Sequence, residues 1–319
     1  MVYIFLLLGF VLLIKGADFF VDGSSSVAKI LKVPSIIIGL TVVAFGTSMP
    51  EASVSITAAL KGQNSLAVSN VLGSNMFNLL VVLGCSALMR PLITSDSVLK
   101  KEFPFSIFVT AALFLMISKF NFSQVISGEG EFVLGRISGM ALLILFAIFV
   151  VLQVKGALEA RSQMPTEEYE VLPPLKSAVY IIGGIAAIAI GGDLVVDSAT
   201  EIAVNFGLSQ TFIGLTIVAM GTSLPELVTS MIAAKKGEND LALGNVVGSN
   251  LFNILLILGA SSAICPIIVE VNALYDMVIL TVFSVFVLIC AKSRNHLSKK
   301  EGILFLVLYT VYFAYIYVR

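Results

Sequence analysis

The sequence predicts an all-α polytopic membrane protein, with ten transmembrane helices in two inverted five-helix repeats and with the second and seventh helices broken. Three observations lead there. First, 58% of the 319 residues are apolar and only 12% are charged, with a mean hydropathy of +1.03. A soluble domain carries about 25% charged residues, so this chain cannot cover a water-facing surface. Second, ten apolar stretches recur, most of them near the length of about 20 residues that spans a bilayer. Third, a long segment of the first half returns in the second.

The stretches run in order over 2–21, 35–60, 65–89, 103–118, 132–154, 178–196, 210–234, 241–268, 273–291 and 302–318. The first is apolar from Val2, lacks a basic leader and a small-x-small cleavage site, and reads as a retained span, not a signal peptide. Near its end Lys15 sits three residues before Asp18, the spacing of an ion pair on one helix face. Polar turns such as 61–65 (KGQNS), 235–240 (KGEND after a lysine) and 292–301 separate the later spans. Residues 155–176 form the longest non-apolar stretch, with two adjacent prolines and much of the acidic charge. The chain therefore divides into a first repeat at 1–154, a cytoplasmic linker at 155–176 and a second, inverted repeat at 177–319. The linker is too short for a folded regulatory domain.

Residues 39–84 align with 214–259 without a gap, and 28 of the 46 positions are identical. The match reaches back to Gly16, Asp18, Val21 and Asp22, which meet Gly191, Asp193, Val196 and Asp197. The shared positions are largely polar residues, glycines and proline, which lipid-facing packing alone does not require. Each half holds five spans. Because five is odd, the second half enters from the opposite side, as in transporters built from inverted repeats.

Basic residues test that count. Numbering connections alternately, one side collects Lys29, Lys32, Arg90, Lys100, Lys101, Lys155, Arg161, Lys176, Lys235, Lys236, Lys292, Arg294, Lys299 and Lys300; the other holds Lys61, Lys119, Arg136 and Arg319. This bias puts the linker in the cytoplasm and both termini outside. Net charge is −1, with no basic patch, so nucleic acid is not an expected partner. Cys85, Cys265 and Cys290 lie in or beside apolar runs and read as packing residues, and a single histidine, His296, excludes a histidine-based metal site.

The chemistry concentrates at 46–51 (GTSMPE) and 221–226 (GTSLPE), both mid-span. A carboxylate at membrane depth costs about 3 kcal/mol or more, so Glu51 and Glu226 are functional candidates. Pro50 and Pro225 have no N–H to offer the carbonyls of Gly46 and Gly221, which predicts a broken helix around a polar cavity. Thr47, Ser48 and Ser55 share a helix face with Glu51, as do Thr222, Ser223 and Ser230 with Glu226. The next span carries Asn70, Ser74 and Asn78, matched by Asn245, Ser249 and Asn253. Ser55, Ser230, Asn75, Asn250 and the glycines read as interhelical packing and hydrogen-bonding residues. Asp18 and Asp193, near span ends, read as snorkelling, capping or pairing. The site is all oxygen, a hard set suited to Ca²⁺, Na⁺ or Mg²⁺. Two glutamates give −2, neutralised by one Ca²⁺, two Na⁺ or two protons.

These motifs, GTSMPE with GSNMFN and GTSLPE with GSNLFN, resemble the two α-repeats of the cation/Ca²⁺ exchanger superfamily, and the prokaryotic sodium/calcium exchangers in particular. The resemblance covers nearly the whole chain. It implies Na⁺/Ca²⁺ antiport at the plasma (inner) membrane, no enzyme activity, no cofactor, inorganic cations and the lipid bilayer as partners, and function as a monomer. It implies further that Glu51 and Glu226 are the central ligands, that Thr47, Ser48, Thr222 and Ser223 add oxygens, and that Ser74 and Ser249 complete outer Na⁺ sites. Ala44 and Ala219 would offer backbone carbonyls, and Asn78 and Asn253 amide oxygens. Part of the family has Asp where this chain has Asn253, which bears on stoichiometry and proton sensitivity. The first and sixth helices would slide against a rigid core. Proton- or potassium-coupled exchange shares this fold and is the alternative. A channel and a carboxylate-based intramembrane hydrolase are less apt: a −2 cage holds a divalent ion, and acid–base hydrolysis needs two carboxyls in unlike environments.

Overall fold

A computed structural model describes residues 1–61, 64–128, 130–161, 171–206 and 219–318. Among these, eight helices are long and apolar enough to cross a membrane, and a ninth span follows if one bent pair is counted as a unit. In chain order the helices are α1 (Val2–Leu31), the pair α2 (Ser35–Thr47) and α3 (Met49–Leu60), α4 (Leu66–Met89), α5 (Val98–Ser118), the short α6 (Phe122–Ser127) and α7 (Arg136–Arg161). The second half continues with α8 (Pro174–Asn205), α9 (Ala219–Gly221), α10 (Leu224–Lys236), α11 (Asn239–Ile264), α12 (Val271–Arg294) and α13 (Lys299–Val318). Residues 207–218, with the beginning of the expected seventh span (210–218), lie outside the described residues. Of the expected linker, residues 155–161 continue α7 and 174–176 open α8, while 162–170 lie outside the described residues.

Burial separates two classes of helix. The apolar windows of α11 and α4 are 94% and 78% buried, whereas those of α13, α7 and α8 are 17%, 22% and 28% buried. The duplicated polar spans thus form the centre, and the outer helices turn large apolar side chains such as Ile144, Ile182, Ile289 and Val311 outward, as a lipid-facing surface requires.

α1 and α8 pack antiparallel along a glycine stripe. A Cβ on Gly16 would stand 3.0 Å from the Gly184 carbonyl oxygen, and one on Gly184 2.8 Å from that of Gly16. Gly9 and Gly191 face each other in the same way, at 2.9 and 2.8 Å. Only the missing side chains let the two backbones approach this closely, the general role of small residues in membrane helix pairs.

Among the described residues, four short strands, β1 (Leu92–Ile93), β2 (Phe132–Leu134), β3 (Ile267–Val269) and β4 (His296–Leu297), close the connections. β1 pairs with β4 and β2 with β3, both antiparallel, so each ribbon joins one strand from either half of the chain.

The second span breaks where the sequence expects. α2 and α3 meet at 53°. Ser48 leaves the helical region at φ −83°, ψ 9°, and Pro50 follows at the first turn of α3, with no N–H for the Gly46 carbonyl. The second half repeats this: Thr222 and Ser223 form a turn between α9 and α10, and Pro225 occupies the first turn. Gly46 has no room for a side chain, since a Cβ would lie 2.9 Å from Ile185 of α8 and 3.1 Å from Phe20 of α1.

Candidate functional site

Glu51 and Glu226 each sit in the first turn of the helix after a break, and both are fully buried. Their hydrogen bonds cross between the halves. The Ser48 hydroxyl donates to Glu226 Oε1 at 2.8 Å, and the Ser223 hydroxyl donates to Glu51 Oε1 at 2.9 Å. Ser74 and Ser249, on the following helices, each stand 3.4 Å from Oε1 of the glutamate in their own half. Ser223 also lies 3.0 Å from Ser74 Oγ. Every one of these serines is buried.

A ring of amides braces the two glutamate-bearing turns. Asn70 Nδ2 donates to Ser55 Oγ at 2.9 Å and to the Glu51 carbonyl at 3.4 Å; Asn245 Nδ2 donates to Ser230 Oγ and the Glu226 carbonyl at the same 2.9 and 3.4 Å. These asparagines tie α3 to α4 and α10 to α11 directly behind each carboxylate. The Thr47 hydroxyl, with one proton to give, stands 2.9 Å from Asn245 Oδ1 in the other half and 3.1 and 3.4 Å from the carbonyls of Val43 and Ala44. Its counterpart Thr222 is half-buried, at the turn before Ser223.

Asn78 and Asn253 begin or lie within widened, π-helical turns, at Asn78–Val82 and Phe252–Leu258. A further π turn, Gly39–Val43, immediately precedes Ala44. Such turns shift backbone carbonyls off their normal partners and recur at functional sites. Ala44 is buried, and Ala219 opens α9.

The buried oxygens left without a donor mark what the site can do. Among the described residues, the acceptor-only side-chain atoms in this condition are Glu51 Oε2, Glu226 Oε2, Asn78 Oδ1, Asn253 Oδ1 and, at the start of α11, Asn239 Oδ1. Buried acceptors are normally paired, and four of these five belong to the duplicated motifs. No group of three or more His, Cys, Asp or Glu side chains comes together among the described residues. A cation here would draw its charge balance from two carboxylates and the rest of its shell from hydroxyl, amide and carbonyl oxygens.

The geometry adds residues that local spacing does not reveal. Lys236, at the end of α10, reaches Asp18 Oδ1 at 2.6 Å and Asp22 Oδ1 at 2.7 Å on α1. Lys29 and Ser25 of α1 contact Glu238 beside it, at 3.9 and 2.5 Å. Asp18 therefore pairs with Lys236, not with Lys15, which is exposed. The signal lay in the duplication: the pair of aspartates and the lysine recur as Asp193, Asp197 and Lys61. Asp193, Asp197 and Lys61 are exposed, and among the described residues no ion pair joins them.

Comparison with known proteins shows the family. The profile of the family described as sodium/calcium exchanger protein matches residues 1–155 and 176–318. The chain is 36% identical to inner membrane protein YrbG of Escherichia coli over 98% of its own length and 95% of that protein. It is 32% identical to the sodium/calcium exchanger MaX1 of Methanosarcina acetivorans, over 99% of this chain and 98% of that one. Among solved structures, the sodium-calcium exchanger NCX_Mj soaked with 2.5 mM Na⁺ and 10 mM Sr²⁺ superposes with a TM-score of 0.81 at 34% identity, covering 98% of this chain and 99% of the other.

Proposed function

Because the chain belongs to the sodium/calcium exchanger family, we propose that it is a secondary antiporter that exchanges Na⁺ for Ca²⁺ by alternating access, at a midplane site built on Glu51 and Glu226. One observation carries this reading. Each carboxylate is held at one oxygen by a serine from the opposite half of the chain, while its other oxygen has no donor. Two ionised carboxylates are balanced by one Ca²⁺ or by two Na⁺, so the two ions compete for a single pocket and exclude each other electrostatically. Thr47, Ser48, Ser74, Thr222, Ser223 and Ser249 supply hydroxyl or carbonyl oxygens, Asn78 and Asn253 amide oxygens, and Ala44 and Ala219 backbone carbonyls. The ions are cargo, the protein performs no covalent chemistry, and a single chain is the working unit.

The proposed architecture has ten spans, as inverted repeats at 1–154 and 177–319 joined by a cytoplasmic linker at 155–176. The ribbons support the count. Paired strands must lie on one side of the membrane. β1 and β4 do so, and β2 and β3 do so on the other side, if the 210–234 stretch crosses; they would be split if it did not. The basic bias then sets the linker inside a plasma membrane and the chain ends outside.

Alternating access is supported by where the two halves stop matching. The hydrogen bonds at the glutamates repeat closely between halves, but the peripheral charges do not: Lys236 clamps α1 through Asp18 and Asp22, whereas Lys61 leaves Asp193 and Asp197 of α8 free of it. A sequence that builds the same trio twice and closes it on one side only fits a site covered from the cytoplasm and approached from outside. Uptake of Ca²⁺ into proteoliposomes under separate Na⁺, K⁺ and proton gradients tests the coupling. Uptake driven by the Na⁺ gradient alone is the expected result. Uptake that follows K⁺ or protons instead would assign the chain to the proton- or potassium-coupled exchangers of the same fold.

A further inference from the structure

We propose that Asn75 and Asn250 are positioning residues that fix the direction of the Asn253 and Asn78 amides, so that each keeps its Oδ1 free of donors and available to a cation. This rests on the reading of Asn78 and Asn253 as ligands given above. The sequence marks Asn75 and Asn250 only as hydrogen-bonding residues between helices. Their bonding pattern gives them a more specific task.

An amide side chain has one accepting and one donating end, and rotation by half a turn exchanges them. Something of fixed polarity must decide the direction. A backbone carbonyl has that property, because it can only accept. Asn75 faces the Asn250 carbonyl at 3.2 Å, and Asn250 faces the Asn75 carbonyl at 3.4 Å. Each must therefore present Nδ2 to the other's backbone. That choice turns Asn75 Oδ1 toward Asn253 and Asn250 Oδ1 toward Asn78. Asn253 must then answer with Nδ2, at 2.9 Å from Asn75 Oδ1, and Asn78 with Nδ2, at 3.3 Å from Asn250 Oδ1. The second N–H of Asn253 goes to Ser74 Oγ, at 3.1 Å, the same hydroxyl that neighbours Glu51 and Ser223.

The result is two relays of forced choices, each beginning at a main-chain carbonyl and ending at a side-chain oxygen. The terminal atoms, Asn78 Oδ1 and Asn253 Oδ1, are the ones left buried without a donor. All four amides are buried, so water is not at hand to satisfy a reversed orientation. Reversing Asn253 alone would set its carbonyl against Asn75 Oδ1. Reversing Asn75 as well would set two carbonyls together at Asn250. The relay thus leaves the oxygen of each amide unpaired and open to a cation, with no reversal of the amides needed on ion entry.

A double-mutant cycle on the full-length protein tests this. Ca²⁺ is the probe, read by half-saturation of Na⁺-driven uptake and by Ca²⁺-dependent thermal stabilisation in detergent. Asn75→Leu should raise the Ca²⁺ half-saturation about 10-fold, the scale of losing a well-aimed polar ligand. In an Asn253→Ala background, which has no amide to aim, the same substitution should add less than twofold. Asn250→Leu should behave likewise with Asn78→Ala. If Asn75→Leu fails to insert, Asn75→Ser, whose hydroxyl is too short to reach Asn253, replaces it. Full additivity in both cycles, or a fall in ligand-free stability with no change in Ca²⁺ half-saturation, would overturn the positioning role. An Asn253→Ala protein with unaltered Ca²⁺ half-saturation would instead remove the ligand reading beneath it.

Discussion

The Ser48 hydroxyl lies 2.8 Å from Glu226 Oε1, a contact between residues 178 positions apart, and Ser223 holds Glu51 across the same boundary at 2.9 Å. Each carboxylate takes its nearer serine donor from the opposite half, and the serine of its own half stands farther off, at 3.4 Å. Coupling between the halves is therefore written into the site. A rocking motion that separates them must loosen both carboxylates together.

Removing one such donor leaves a buried charged acceptor short of a hydrogen bond, a loss of about 1.5–3 kcal/mol. Ser48→Ala and Ser223→Ala should each weaken apparent Ca²⁺ affinity by about 10-fold or more, and by nearly the same amount, because the two bonds are equivalent. Calorimetric titration of purified variants with Ca²⁺ measures this. A large effect in one variant with none in the other would show that the two glutamates are used unequally.

Asn253→Asp adds a third carboxylate to the site. One Ca²⁺ then leaves a residual −1, which a proton or a further Na⁺ can neutralise. Transport should persist but become more sensitive to pH, with Ca²⁺ uptake falling as the medium is made alkaline and the residual −1 is left without its proton, over a range in which the wild type changes little. Uptake measured across a pH series decides it. Identical profiles for the two proteins would mean that position 253 does not face the ion.

The clamp of Lys236 on Asp18 and Asp22 should hold α1 closed at one end only. Lys236→Met should speed hydrogen exchange at the amides of Asp18–Leu31, read by mass spectrometry on the ion-free protein. Lys61→Met should leave exchange in α8 unchanged, since Lys61 does not bridge Asp193 or Asp197 in this conformation. Equal acceleration at both ends would remove the asymmetry on which the one-sided closure rests.

Much of this was legible in the sequence, for reasons that are local. Apolar runs mark the spans, and Pro50 and Pro225 mark the breaks because a missing N–H acts within one helical turn. Spacing put Thr47, Ser48 and Glu51 on one face. It did not say which faces meet. That Ser48 serves Glu226, that Asn75 aims Asn253, and that Lys236 instead of Lys15 takes Asp18 all depend on packing between halves, and helical periodicity carries no information on it. The π turns at Asn78 and Asn253 were equally hidden, as they are set by tertiary fit. The two ribbons are only two or three residues long, too short for an alternating pattern to show.

The most direct measurement is Ca²⁺ uptake into proteoliposomes driven by an outward Na⁺ gradient, comparing the wild type with Glu51→Gln and Glu226→Gln. A glutamine keeps the shape of the side chain but cannot balance a divalent charge. Each variant should insert normally and lose about 100-fold or more of the Na⁺-driven flux, equivalent to at least about 2.7 kcal/mol at each carboxylate. Na⁺-driven Ca²⁺ uptake near the wild-type rate in either variant would contradict the two-glutamate site and the exchange mechanism built on it.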